Sequence, residues 1–281
     1  MRASRIIGIL ALLVLALPLM AAGGNRPLDT FAVYEDWTNP NGTIRSDRWR
    51  GAEVAGGQEI TRKVRAGHLA MRFRMEGFTT SDVGFTEGAN ILAATNPTQI
   101  TQMAADAKIK SYETHECVTN PRLTRVRTIR VEIIKFNDGA STGPNDRTGD
   151  YLGRVQVVRD SDSTDPPDVL QAIGSVHRCQ NADCSDVKRF GGDNPLGPVN
   201  VGKAHQVRVT WDQANHRFLF GLNTNADVPV PYTASDSKAA VHPSATIEQR
   251  DTPANCTSGR IVTDSTNRVY KVYTNPGAVI P

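Results

Sequence analysis

Residues 206–222, Q-V-R-V-T-W-D-Q-A-N-H-R-F-L-F-G-L, read as a β-hairpin. Val207, Val209 and Trp211 form one apolar row, Asp212, Gln213, Ala214 and Asn215 a polar turn, and Phe218, Phe220 and Leu222 the returning row. A period of two puts alternate side chains on one face of a strand, and two such runs about a short polar turn mark a hairpin. Trp211 shares the row of Val207 and Val209, so its ring is expected in the core.

The same period recurs outward from this hairpin. Over residues 68–75, Leu69, Met71 and Phe73 oppose Ala70, Arg72 and Arg74. Over residues 105–112, Ala107 and Ile109 oppose Lys108 and Lys110. Residues 125–136 carry Ile129, Val131 and Ile133 on one face, and residues 151–158, 169–176, 246–250 and 268–273 read as further strands. Helix signals are confined to residues 98–105, where one or two turns follow Pro97. An α/β fold needs helices between its strands. Short strands separated by turns instead predict an all-β antiparallel sandwich or barrel.

The N-terminus predicts export. Arg2 and Arg5 precede an apolar run from Ile6 to Met20, which ends in Ala21, Ala22, Gly23 and Gly24. A basic start, an apolar stretch and small residues make a signal peptide over 1–23, and the run is short of the roughly 20 residues of a membrane span. Residues 24–281 are then one domain in a secreted or periplasmic protein, with no stable membrane insertion after cleavage. Of the net charge of +3, Arg2 and Arg5 supply two. The remaining basic residues are spread among carboxylates along the chain, so the sequence gives no expectation of nucleic-acid binding.

Four cysteines, Cys117, Cys179, Cys184 and Cys256, allow three pairings in an oxidising compartment. The short C-Q-N-A-D-C segment favours a local Cys179–Cys184 bridge, which leaves Cys117 with Cys256.

Three stretches carry a family resemblance. F-A-V-Y-E-D-W at 31–37 is followed by Trp49-Arg50-Gly51 and by G-H-L-A-M-R-F at 67–73. H-Q-V-R-V-T-W-D-Q-A-N-H-R-F-L-F at 205–220 contains the hairpin, and I-E-Q-R-D-T-P-A-N-C-T at 247–257 precedes R-V-Y-K-V at 268–272. Together they resemble the concanavalin A-like lectin/glucanase superfamily, in particular its bacterial secreted members. The resemblance implies a jelly roll of two stacked antiparallel sheets, one of them concave, with carbohydrate or Ca2+ bound at that face or its rim in many relatives. Function does not follow from fold.

Glucanases of the superfamily carry E-x-D-x-x-E on one strand, where alternation brings the carboxylates to one face. None of the nine glutamates here has an acidic residue two positions later, and Glu113 and Glu116 are three apart. The Q-[IV]-H segment of the alginate-lyase type is missing too. Gly139 to Gly143 matches G-x-S-x-G around Ser141, but Pro144, Asn145 and Asp146 begin no helix, so a polar loop is expected instead of a nucleophile elbow. The six histidines form no H-E-x-x-H motif or close pair.

Two acidic loops offer oxygen ligands for Ca2+, the one cofactor with a place in the sequence. One carries Asp138, Asn145, Asp146 and Asp150, the other Asp160, Asp162, Asp165 and Asp168. Asp and Asn also fill turns by bonding their own backbone. For carbohydrate, the candidate stacking rings are Tyr34, Trp37 and Trp49, with edge packing as the alternative role for the two tryptophans. The expected function is a secreted, non-catalytic module for extracellular or envelope carbohydrate. The alternatives are a structural or adhesive envelope protein, or a polysaccharide-acting enzyme with an atypical site. Two carboxylates converging across the concave face would favour the enzyme.

Overall fold

A computed structural model describes residues 31–39, 42–54, 58–65, 70–79, 88–115, 125–160, 163–251 and 261–279. The signal-peptide expectation, Cys117 and Cys256 lie outside these residues, as does Asp162 of the second acidic loop.

Among the described residues fifteen strands follow in chain order: β1 (Ala32–Glu35), β2 (Trp49–Val54), β3 (Gln58–Arg65), β4 (Ala70–Thr79), β5 (Gly88–Ala94), β6 (Gln102–His115), β7 (Arg125–Asn137) and β8 (Asp150–Asp160). After these come β9 (Val169–Cys179), β10 (Val187–Asn200), β11 (Ala204–Asp212), β12 (Arg217–Leu222), β13 (Val228–Pro231), β14 (Lys238–Asp251) and β15 (Ile261–Thr274). An eight-stranded sheet has the order β13-β12-β11-β6-β15-β4-β3, with β1 also on β15, and a seven-stranded sheet has the order β10-β9-β8-β7-β14-β5-β2. All pairings are antiparallel. Strands far apart in sequence lie side by side, β6 against β15 and β7 against β14, and the chain passes repeatedly from one sheet to the other. This is the expected all-β jelly-roll sandwich.

The hairpin holds its predicted register, Val207 opposite Leu222, Val209 opposite Phe220 and Trp211 opposite Phe218. A 3-10 turn over Gln213–Asn215 reverses the chain, and His216 takes up the left-handed conformation that closes it (φ +48°). The inner rows of both sheets interlock: Val209, Phe218 and Phe220 are buried with Ile129, Val131 and Ile133 of β7, Val155 of β8 and Val176 of β9. Two glycines make room for the aromatic rings. A Cβ on Gly153 would overlap the Phe218 ring, and one on Gly174 the Phe220 ring.

Trp211 sits at the outer end of its row and is half-buried. Its indole Nε1 donates to the Tyr232 hydroxyl at 2.8 Å, and its ring stacks near Phe136 at 5.9 Å. The helical turns expected over residues 98–105 are reduced to one turn at residues 97–99, with β6 starting at Gln102. The reason is tertiary: Met103, Ala105, Ala107 and Ile109 form a buried row of period two. The turn itself is held by Lys135, whose Nζ donates to the carbonyls of Pro97 and Thr98. No helix among the described residues is long and apolar enough to cross a membrane.

Candidate functional site

Alternation along β7 sends Ile129, Val131 and Ile133 into the core and Arg130, Glu132 and Ile134 to the outer face of the seven-stranded sheet. A sheet face turned to solvent ordinarily carries exposed polar groups. Here Arg130, Glu132 and, on β14, Glu248 are 5 %, 6 % and 2 % exposed. Register explains their meeting: Thr246 lies opposite Glu132, and Glu248 opposite Arg130.

The groups form one network. Arg130 Nη2 donates to Glu132 Oε2 at 2.6 Å, and its Nε lies 3.4 Å from Glu248 Oε2. Arg154 on β8 approaches Glu132 Oε2 from the other side at 3.8 Å, and Thr246 Oγ1 donates to Glu248 Oε1 at 2.7 Å. On β9, buried Ser175 Oγ and His177 Nε2 are hydrogen-bonded at 2.9 Å. Buried charges persist where they are paired and hydrogen-bonded, as these are.

Above this floor lies a cleft of about 930 Å³. Asp183, Cys184 and Ser185 form one wall with Arg147, and His242 and Pro243 stand on another side. The Cys179–Cys184 disulfide, expected from the sequence, ties that wall to the end of β9. The backbone amide of Arg147 donates to the Ala182 carbonyl at 3.0 Å, which joins the two loops of the wall. No Trp, Tyr or Phe lines the cleft among the described residues.

The aromatic residues expected to stack on sugar are placed elsewhere and inside. Tyr34, Trp37 and Trp49 are 0 %, 3 % and 3 % exposed, which removes them as surface platforms. They pack on one another, Trp37 stacked on Trp49 at 6.0 Å and Tyr34 edge-on to Trp49 at 5.2 Å. Buried Glu35 organises this corner by accepting from the Trp37 amide at 2.9 Å and from Trp49 Nε1 at 3.3 Å. The first interaction holds Trp37 in its left-handed conformation (φ +59°). The alternative of edge packing describes both tryptophans.

The Ca2+ expectation is not met by the geometry of the first loop. Asp138 pairs with Arg178 at 2.6 Å. Asp146 accepts from the Thr142 and Thr148 amides and the Thr142 hydroxyl, and these hydrogen bonds hold its carboxyl well below the usual carboxylate range. Buried Asp150 accepts from Asn137 Nδ2 and the amides of Val241 and His242, and Asn145 is exposed. In the second loop Asp165 accepts from Gln171 at 2.7 Å. Among the described residues no three His, Cys, Asp or Glu are grouped to hold a metal ion. Ser141 sits in a loop and donates to the Gly143 carbonyl at 2.9 Å, with no helix after it.

Sequence reasoning missed the Arg130–Glu132–Glu248 network. The signal for half of it was present, since Arg130, Glu132 and Ile134 occupy the face opposite Ile129, Val131 and Ile133. The other half needed the pairing of β7 with β14, more than a hundred residues away.

No protein-family model matches the chain, and no curated protein matches it. Solved structures are similar to it in fold. SCLam, a non-specific endo-β-1,3(4)-glucanase from family GH16, is 12 % identical, covers 88 % of this chain and 92 % of its own, and has a TM-score of 0.41. LamAcat from Zobellia galactanivorans is 10 % identical, with coverage of 88 % and 99 % and a TM-score of 0.46. The potassium-bound carbohydrate recognition domain of Emp46p is 10 % identical, with coverage of 80 % and 87 % and a TM-score of 0.39.

Proposed function

We propose that this protein is an exported, non-catalytic module that binds extracellular or envelope carbohydrate in the cleft on the outer face of the seven-stranded sheet. The observation that carries the reading is the buried network of Arg130, Glu132 and Glu248, met by half-buried Arg154, under a cleft of about 930 Å³. A cleft of that size suits a ligand of a few sugar units. Hydroxyl-rich ligands are recognised by fixed donors and acceptors, and groups held by one another before binding lose little freedom on binding. The Cys179–Cys184 bridge fits an oxidising compartment.

Glu132 and Glu248 also converge, which favours a second reading as a polysaccharide-acting enzyme. Hydrolysis by two carboxylates needs one to act as acid and the other as nucleophile or base. Both of these are ion-pair partners of the guanidinium that lies between them, an arrangement that suits holding over proton transfer.

The test is a pull-down on insoluble polysaccharides with a glycan array, alongside an assay for new reducing ends. Saturable binding without cleavage, weakened by Arg154→Ala, supports the module. New reducing ends establish the enzyme. Absence of binding to every sugar overturns both and returns the structural or adhesive reading.

A further inference from the structure

The outer face of the other sheet carries a different pattern. Register places Arg72 of β4 opposite Arg268 of β15, and Arg268 opposite Lys108 of β6. Three cations thus stand in one row across three adjacent strands, and Lys63 of β3 occupies the next register position beside Arg72. Strands lie about 4.8 Å apart, so the row from β3 to β6 runs for about 14 Å at right angles to the chain direction. Exposed Lys110 stands two residues along β6 from Lys108, on the same face. The positive field is strong enough that Lys108 and Arg268 push the Lys110 ammonium below the ordinary lysine range.

Like charges directly opposite each other across a sheet are destabilising. The core does not require them, because Met71, Phe73, Ala107, Ile109 and Val269 of the same strands point the other way and are buried. Among the described residues, the register partners at this level of β4, β15 and β6 are all basic. Glu76, Asp264 and Glu113 occupy a separate register row, four residues along β4 and β15 and five along β6, about 13 Å away. Asp106, next to Lys108 on this face of β6, is engaged by the Tyr273 hydroxyl and by Gln206 Nε2. The basic residues that look evenly scattered in the sequence are gathered by strand pairing into a line.

We infer that this row is a docking site for a linear acidic polysaccharide, lying across β6, β15 and β4 with successive anionic groups over Lys108, Arg268 and Arg72. The charge complementarity calls for an anion, and the line of evenly spaced cations suits a polymer with regularly repeated charges better than a compact one. The row is on the opposite side of the sandwich from the cleft and is independent of it. It gives the protein a means to attach to an acidic matrix while the cleft stays open.

The experiment is affinity measurement on the mature protein with polygalacturonate and heparin as probes, at several salt concentrations. The comparison is with Lys108→Gln/Lys110→Gln/Arg268→Gln and with the cleft variant Arg154→Ala. Expected are binding that weakens with salt, a loss of at least about tenfold in the triple variant, and a shallower salt dependence because fewer counterions are released. Arg154→Ala keeps wild-type affinity for these probes. The triple variant is expected to melt no lower than the wild type, since repulsion is relieved, which separates lost binding from lost folding. Equal affinities of wild type and triple variant overturn the inference. So does absence of binding at low salt, or binding to anionic lipid vesicles or nucleic acid with none to either polysaccharide.

Discussion

Arg130 and Glu132, two residues apart on β7 and both buried, point to the outside of the sandwich and are joined there by a hydrogen bond of 2.6 Å. The same guanidinium reaches Glu248 at 3.4 Å, so one cation serves two buried carboxylates. Removing one member of a buried ion pair leaves the other without its counter-charge, at a cost of about 3–5 kcal/mol. Arg130→Met is therefore expected to be strongly destabilising by urea or thermal unfolding. The triple change Arg130→Met/Glu132→Gln/Glu248→Gln should recover much of that loss while abolishing carbohydrate binding. Undiminished binding by the triple variant would exclude the network as the recognition surface.

The glycines facing the hairpin give a prediction about packing. Gly153 and Gly174 lie under the rings of Phe218 and Phe220, with no space for a methyl group. Neither glycine is recorded at positive φ, so the cost of alanine is steric. Overpacking of this kind costs about 1–3 kcal/mol. Gly153→Ala and Gly174→Ala should each lower the unfolding free energy by that amount, and pairing Gly153→Ala with Phe218→Leu should lower it by less than the two single effects combined. Additive losses would show that the ring is not what fills the site.

Lys135 gives a pH dependence. Burial pushes its ammonium from 10.5 down to about 8. In the unfolded chain the group keeps its proton to higher pH, so between about 8 and 10.5 the unfolded state binds more protons, and this group's contribution to stability rises with pH. Below that window both states are charged and the burial penalty is fully felt. Relative to Lys135→Met, the wild type should gain on the order of 2–3 kcal/mol across the window. The difference is to be read by denaturant unfolding from pH 7 to 10. A flat difference would mean that the carbonyls of Pro97 and Thr98, with the nearby Trp211 ring, hold the ammonium as well as water does.

Much of the fold was legible because the core rows are local: Val207, Val209, Phe218 and Phe220 announce themselves by alternation within one hairpin. Strand β10 was not, since Gly191, Gly192, Pro195, Gly197 and Pro198 interrupt any alternation along it. It is an edge strand, where prolines are tolerated because one side needs no partner. The site was less legible than the fold. Tyr34, Trp37 and Trp49 look like stacking rings because exposure is invisible in sequence, whereas their burial depends on Glu35 and on packing against one another. The cleft floor and the basic row both depend on which strands become neighbours. Pairing of β7 with β14, and of β4, β15 and β6, is settled by the whole sandwich.

The disulfide beside the cleft gives the last prediction. Cys179 is buried with Ile134, Leu152 and Ala240, while Cys184 lines the cleft wall. The bridge spans a separation of five residues, and closing so short a loop contributes about 2 kcal/mol in the chain-entropy model. Cys179→Ala/Cys184→Ala should therefore fold, with a modestly lowered melting temperature. Its larger effect should fall on binding, because Asp183 and Ser185, the neighbours of Cys184, line the same cleft as Arg130. Faster dissociation of carbohydrate, with little change in association, is the expected signature of a wall that no longer stays in place. If dissociation is unchanged while melting falls, the bridge serves the fold alone, and the backbone bond from Arg147 to Ala182 is enough to hold the wall.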